Sequence, residues 1–371
     1  MTYPILDRDP KVGKRWPYRF LNFLPSRQLW RFLTWQSGGT GSTEPFEVAK
    51  ALCGTSRILV VLPEGIREIL VSVPIIQAYF QTLPQAAIWL MAGPRESSFL
   101  AGIFGRERIL TMEPDNFFMG EDHFKELLGR LHGMRPDLVL NFRSQSPPLL
   151  HYLLRGSHAP LRIQLGSGPQ WPYWNITLAA NEPLNHLRHY QMAARLWDAA
   201  GIPLAGKWSR IVPPADAMAR AELLLAPARL KAASTLVFPW QNRPEGPQLS
   251  LLKSVAQVIR AEGKSLAVIH SVDPLFASPP LPSGVADSYP ILKTDSAGTL
   301  MALFATTAGT IGQTGPLLLL AGLTDTDVTG YFTAEDAPFD TSFLNPRLKV
   351  LPLEPEAPED KTQSGSGKRR R

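Results

Sequence analysis

The sequence predicts an α/β protein built as two Rossmann-like domains facing a central cleft. Three observations carry that expectation. From Arg57 onward, short apolar segments of strand length alternate with helical segments, the pattern of a parallel sheet covered on both faces. The alternation pauses at Gly206–Pro214 and then resumes. A chain of 371 residues has room for two such sheets. A ligand of such a molecule binds in the crevice between domains, outside the strand carboxyl ends.

In chain order, residues 1–56 form a basic, aromatic arm and a linker. Trp16, Tyr18, Phe20, Phe23, Trp30, Phe32 and Trp35 stand among Lys11, Lys14, Arg15, Arg19, Arg27 and Arg31. Such a mixture suits the headgroup boundary of an anionic membrane, and it equally suits an arm packed across folded domains. Ser37–Thr43, SGGTGST, is flexible by composition. The first domain spans 57–205. Strands are predicted at Arg57–Leu62, Ala87–Met91, Arg108–Thr111, Asp137–Phe142 and Arg162–Leu165, and helices at Glu68–Phe80, Ser97–Phe104, Glu121–His132, Pro147–Arg155 and His186–Ala200. The second domain spans 206–352. Its strands are predicted at Ser234–Phe238, Ser265–Ile269, Asp327–Tyr331 and Leu348–Leu351, with a short apolar segment at Thr310. Its helices are predicted at Ala215–Leu225, Leu249–Ala261, Thr299–Thr306 and Leu317–Leu323. Residues 353–371 turn to Pro, Glu, Ser, Gly and Lys and read as a disordered basic tail.

Totals exclude several functions. The net charge of +6 is uneven: residues 1–36 carry +5 and residues 359–371 carry +3, leaving the body between them at −2. A nucleic-acid-binding core would need a basic face on the domain itself, so no nucleic acid is expected as partner. The single cysteine, Cys53, rules out an internal disulfide or a cysteine-based metal site. No run of about 18 apolar residues and no signal-peptide core occur, so the expected location is cytoplasmic, with peripheral contact at the inner membrane face as an option for the arm.

The motif that organises the second half is Thr310–Leu323, TIGQTGPLLLLAGL. An apolar segment ends in a Gly-Gln-Thr-Gly-Pro turn, and Pro316 suits the first position of a helix because its missing N–H has no helical partner there. The N–H groups at such a start can hold a phosphate; the turn is equally an ordinary strand-to-helix corner. Asp325-Thr326-Asp327 reads as a turn or cap. No His-x-x-x-His with its glutamate, no Gly-x-Ser-x-Gly elbow and no Gly-x-Gly-x-x-Gly follow the usual strands. Neither a metal nor a cofactor is therefore expected.

Several segments together resemble glycosyltransferase family 9, the heptosyltransferases. Arg57–Pro84, RILVVLPEGIREILVSVPIIQAYFQTLP, resembles that family's first strand and helix; Arg135–Asn141, RPDLVLN, resembles a later strand. Asn185–Leu204 resembles its His-bearing helix, and the Gln313–Leu318 stretch resembles its second-domain Asp-Ser/Thr-Gly-Pro-x-His motif. The resemblance runs from about Arg57 to Leu351 as a dispersed pattern. It implies a GT-B-like fold and a metal-independent, inverting transfer of a sugar from a nucleotide-sugar donor. The acceptor would be a glycan or lipid-linked molecule of lipopolysaccharide or related envelope synthesis. Glu68 stands where the family has its catalytic Asp, with Arg67 where it has Gly. Gln313 replaces the motif Asp and Leu318 its His, while Thr314, Gly315 and Pro316 remain.

The roles implied are these. Glu68 is the general base. Gln313, Thr314 and Gly315 bind the donor, with Arg243 supplying the cation on its phosphates. His186 and Trp171 contact the acceptor, with Tyr173 and Trp174 as further stacking candidates. The same substitutions support an alternative: a catalytically inactive glycosyltransferase-like protein that binds or scaffolds in envelope assembly.

Overall fold

The computed structural model describes residues 48–113, 122–143, 148–165, 174, 176–178, 197, 201, 210–242, 245–332 and 348–352. The chain divides into two compact units, Met1–Ile211 and Val212–Arg371. Trp171, His186 and Arg243, the arm, the tail and most of the helix expected at His186–Ala200 lie outside the described residues. Among the described residues no helix is long and apolar enough to cross a membrane.

The first unit runs α1 (Val48–Cys53), β1 (Arg57–Val61), α2 (Ile66–Thr82), β2 (Ala87–Ala92), α3 (Pro94–Phe104) and β3 (Ile109–Thr111). It continues with α4 (Asp122–Met134), β4 (Leu138–Asn141), α5 (Pro148–Gly156), β5 (Leu161–Leu165) and β6 (Ile176–Leu178). Its six strands lie in the order β3-β2-β1-β4-β5-β6, with every described pair parallel. Ile58, Leu59, Val60 and Val61 are all fully buried, because helices cover both sheet faces. That is why the strand reads as an unbroken apolar run. On one face Leu59, Val61, Met91 and Val139 pack with Phe124, Leu127 and Leu131 of α4 and Leu150, Leu153 and Leu154 of α5.

The amino ends of β1 and β4 are tied by Asp137. Its carboxylate accepts the backbone N–H groups of Ser56 (3.1 Å) and Arg57 (3.0 Å) and the Ser56 hydroxyl, and pairs with the Arg57 guanidinium at 2.7 Å. This contact fixes the pairing register that sets Ile58 beside Leu138.

The second unit runs α6 (Ala215–Leu225), β7 (Thr235–Pro239), α7 (Glu245–Ala261), β8 (Ser265–Ser271), α8 (Ser283–Ser288) and β9 (Ile291–Thr294). Then come α9 (Ala297–Thr306), β10 (Gly309–Gln313), α10 (Pro316–Gly322), β11 (Val328–Phe332) and β12 (Leu348–Pro352). The strand order is β12-β11-β10-β7-β8-β9, again with every described pair parallel. Phe238, Trp240 and Val268 pack with Leu251, Leu252, Val255 and Ile259 of α7. The hydroxyl of Ser296 accepts the Thr299 N–H at 3.3 Å and caps α9.

Most expected elements appear, with shifted ends. The helix expected from Glu68 begins at Ile66, because Gly65 adopts φ 95° and turns the chain into it two residues early. The α1, β6, α8 and β9 segments were not expected from the sequence. Each is three to six residues long, and β9 reads Ile-Leu-Lys-Thr with an exposed lysine. Short edge segments of that kind carry little periodic signal.

Candidate functional site

Each sheet reverses its winding direction at one point, and there the adjoining crossovers leave in opposite directions and open a crevice at the strand carboxyl ends. In the first unit that point lies between β1 and β4; in the second it lies between β7 and β10. The expected catalytic and donor residues described by the structure fall at these two places. Glu68 lies in α2, which follows β1; Gln313 ends β10, and Thr314 and Gly315 follow it.

At the first switch point, the β1–α2 loop is Leu62-Pro63-Glu64-Gly65. Glu68 is half-buried in the first turn of α2. Its Oε2 bends back to within 2.6 Å of where a Cβ on Gly65 would sit. This is the third-residue acid of a helix start, reaching back toward the cap residue and favoured by the helix dipole. The positive φ calls for glycine here, while the Glu68 carboxylate, as the end of a flexible side chain, could move aside. Across the switch, Arg143 follows β4 and is 3% exposed. Its Nε donates to the Leu62 carbonyl (2.9 Å), and its guanidinium pairs with Glu64 Oε1 at 2.5 Å. Burial pushes the Arg143 guanidinium below its ordinary range, against the opposing pull of the Glu64 and Glu96 carboxylates. Two carboxylates therefore share this loop. Glu64 is 74% exposed and held by arginine, while Glu68 is folded over the helix start.

At the second switch point, Gln313 ends β10 and Thr314-Gly315 turns the chain into α10. The Thr314 N–H donates to the Tyr331 carbonyl at 2.8 Å. Gln241, just beyond β7, holds the other side. Its Nε2 donates to the Gln313 carbonyl at 2.6 Å, and its Oε1 accepts the Leu317 N–H at 3.0 Å. Gln248 of α7 fixes Gln241 in turn: its Oε1 accepts the Gln241 N–H (2.9 Å) and its Nε2 donates to the Gln241 carbonyl (3.2 Å). A Cβ on Gly315 would overlap the Gln241 amide. That close approach, and not backbone strain, is what calls for glycine here, since Gly315 is extended (φ 171°).

The Gln313 side chain is 4% exposed, and neither its Nε2 nor its Oε1 has a partner among the described residues. Leaving such groups unmade costs about 1–3 kcal/mol each. One helix-start N–H, that of Leu317, is already taken by Gln241, and α10 is only seven residues long. The corner is thus built mainly from carboxamides and backbone. Gln241, Gln248 and Arg143 were not singled out from the sequence. Gln241 stands in the polar loop after β7, but nothing in the local pattern separates it from Asn242.

No protein-family model matches the sequence, and no curated protein matches it. Solved structures do. A family 9 glycosyltransferase of Veillonella parvula superposes with a TM-score of 0.63 at 12% identity, covering 85% of this chain and 90% of that one. The E. coli ADP-heptose lipopolysaccharide heptosyltransferase II gives 0.56 at 13% identity, covering 80% and 90%. The E. coli heptosyltransferase WaaC, solved with ADP, gives 0.53 at 11% identity, covering 80% and 93%.

The chain has the heptosyltransferase-like GT-B fold. Within that GT-B frame, Leu318 stands where the resembled motif has histidine. Its side chain is 2% exposed, and its Cδ2 lies 2.5 Å from where a Cβ on Gly330 would sit. The position thus faces β11 and packs as core. Trp174, an expected stacking residue, is half-buried against the first unit's core, where its Nε1 donates to His151 Nδ1 at 2.9 Å. Among the described residues no cluster of metal-ligating side chains occurs.

Proposed function

We propose that this chain is a glycosyltransferase that transfers a sugar from a nucleotide-sugar donor to a glycan or lipid-linked acceptor in envelope polysaccharide synthesis. The observation that carries the reading is the GT-B fold with a rigid Gln-Thr-Gly-Pro turn at the second switch point. The nucleoside diphosphate solved with WaaC supports the donor class. In this reading Gln313, Thr314 and Gly315 hold the donor, with Arg243 on its phosphates. His186 and Trp171 contact the acceptor. The Glu68 carboxylate takes the proton of the acceptor hydroxyl. That oxygen attacks the anomeric carbon, the bond from carbon to the diphosphate oxygen breaks, and the nucleoside diphosphate leaves with the electron pair. Configuration inverts. The basic arm contacts anionic lipid at the inner membrane face.

The test is a panel of nucleotide sugars, with binding followed by calorimetry and turnover by release of nucleoside diphosphate. Glu68→Ala is expected to lower turnover by at least 100-fold, the scale of general-base catalysis, while donor affinity stays within about twofold. Unchanged turnover in Glu68→Ala removes it as the base. Absence of any nucleotide-sugar binding at millimolar concentration overturns the whole reading.

A further inference from the structure

We propose that Gln241 is the positioning residue of the Gln313–Leu317 turn, and that a nucleoside diphosphate binds the second unit only while its carboxamide holds that turn. This rests on the glycosyltransferase reading above. The side chain is 3% exposed and bridges the switch point, joining the end of β10 to the start of α10 through one donated and one accepted hydrogen bond. No other natural side chain of that length offers a neutral donor and acceptor together. A charged replacement would bury an unpaired ion. An apolar one would leave the Gln313 carbonyl and the Leu317 N–H unmade.

Gln241 is itself fixed at its backbone by both amide atoms of Gln248. The turn is clamped again from β11 through the Thr314 N–H. Gly315 completes the interlock, because the Gln241 amide fills the space where its Cβ would be. A ligand at this turn therefore meets a preset backbone, in which the Leu317 N–H is committed to Gln241. Without Gln241 the turn loses both of these hydrogen bonds to the β7 side, and a ligand would have to order it at its own cost.

The experiment uses the full chain and titrates ADP, GDP, UDP and CDP by calorimetry at 10 °C, with circular dichroism to verify that each variant is folded. Gln241→Leu is expected to weaken the tightest of these nucleotides at least tenfold. Gly315→Ala is expected to weaken it comparably, yet to add nothing in a Gln241→Ala background, where the methyl enters the vacated space. Gln241→Met keeps the length of the side chain but removes both hydrogen bonds, so a comparable loss is expected; it serves if Gln241→Leu does not fold. Wild-type binding with affinities within twofold in the Gln241 variants, even with a lowered Tm, reduces Gln241 to a scaffold residue and overturns the proposal alone. So do strictly additive losses for Gln241→Ala and Gly315→Ala. Failure of the wild type to bind any nucleotide overturns the proposal together with the glycosyltransferase reading.

Discussion

At the scale of single residues, the two switch points show how differently a site can be written in a sequence. Glu68 is legible because a charge appears where an apolar run ends and a helix begins; its bend over Gly65 is not. Gly65→Ala forces an L-residue to φ 95° and pushes a Cβ at the Glu68 carboxylate, so a loss of about 1–3 kcal/mol is expected, read from denaturant unfolding. Gly65→Ala with Glu68→Ala removes the clash but keeps the backbone cost, and should recover only part. Leu318 makes a second case. Leu318→His is expected to lower stability by about 2–4 kcal/mol, because a buried leucine is lost and an imidazole is buried in its place. A rise in Tm would show that the position opens to the surface. Gln241 was illegible for a plain reason: its partners Gln313 and Leu317 lie 72 and 76 residues away, and an uncharged amide leaves no periodic or charge signal.

Among elements, what was legible was what is long and buried. Strands such as Arg57–Val61 and helices such as Ala215–Leu225 emerged near their observed ends because burial on both sheet faces or along one stripe leaves a continuous pattern. The α8 helix and the β9 and β6 strands were missed, being short, and β9 and β6 form sheet edges. The tie between β1 and β4 makes a pH prediction. Burial pushes the Asp137 carboxyl up, but the hydrogen bonds and charge of Arg57 and Ser56 outweigh it and hold the group below the usual carboxylate range. A depressed folded value means the tie stabilises the fold above the unfolded carboxyl pKa. That contribution fades as pH falls through the folded value. Asp137→Asn is therefore expected to flatten the acid limb of stability between about pH 5 and pH 3, measured as Tm against pH. An unchanged slope would assign the acid limb to other carboxylates. The effect is modest, since the Arg57 side chain is 43% exposed and solvent screens the pair.

For the whole molecule, the two sheets share one winding order, and each has its own apolar core. A chain spanning 212–371 is expected to unfold in a single cooperative thermal transition; a gradual melt would show that the second unit needs the first. The fold class was legible because alternation over some 300 residues averages out local errors, whereas the proposed reaction would rest on a few polar atoms. The parallel pairing of the described strands has a consequence for synthesis. A parallel partner always arrives through a crossover, so β1 gains β2 early but waits for β4, whose Asp137 contact is 80 residues downstream. At about 5–20 residues per second of translation, the unpaired side of the nascent β1 strand stays open for roughly 4–16 s. An apolar strand edge exposed that long pairs readily with other chains. Yield during rapid expression should thus depend on slowed translation or on a holdase chaperone that shields Ile58–Val61 until β4 has left the ribosome.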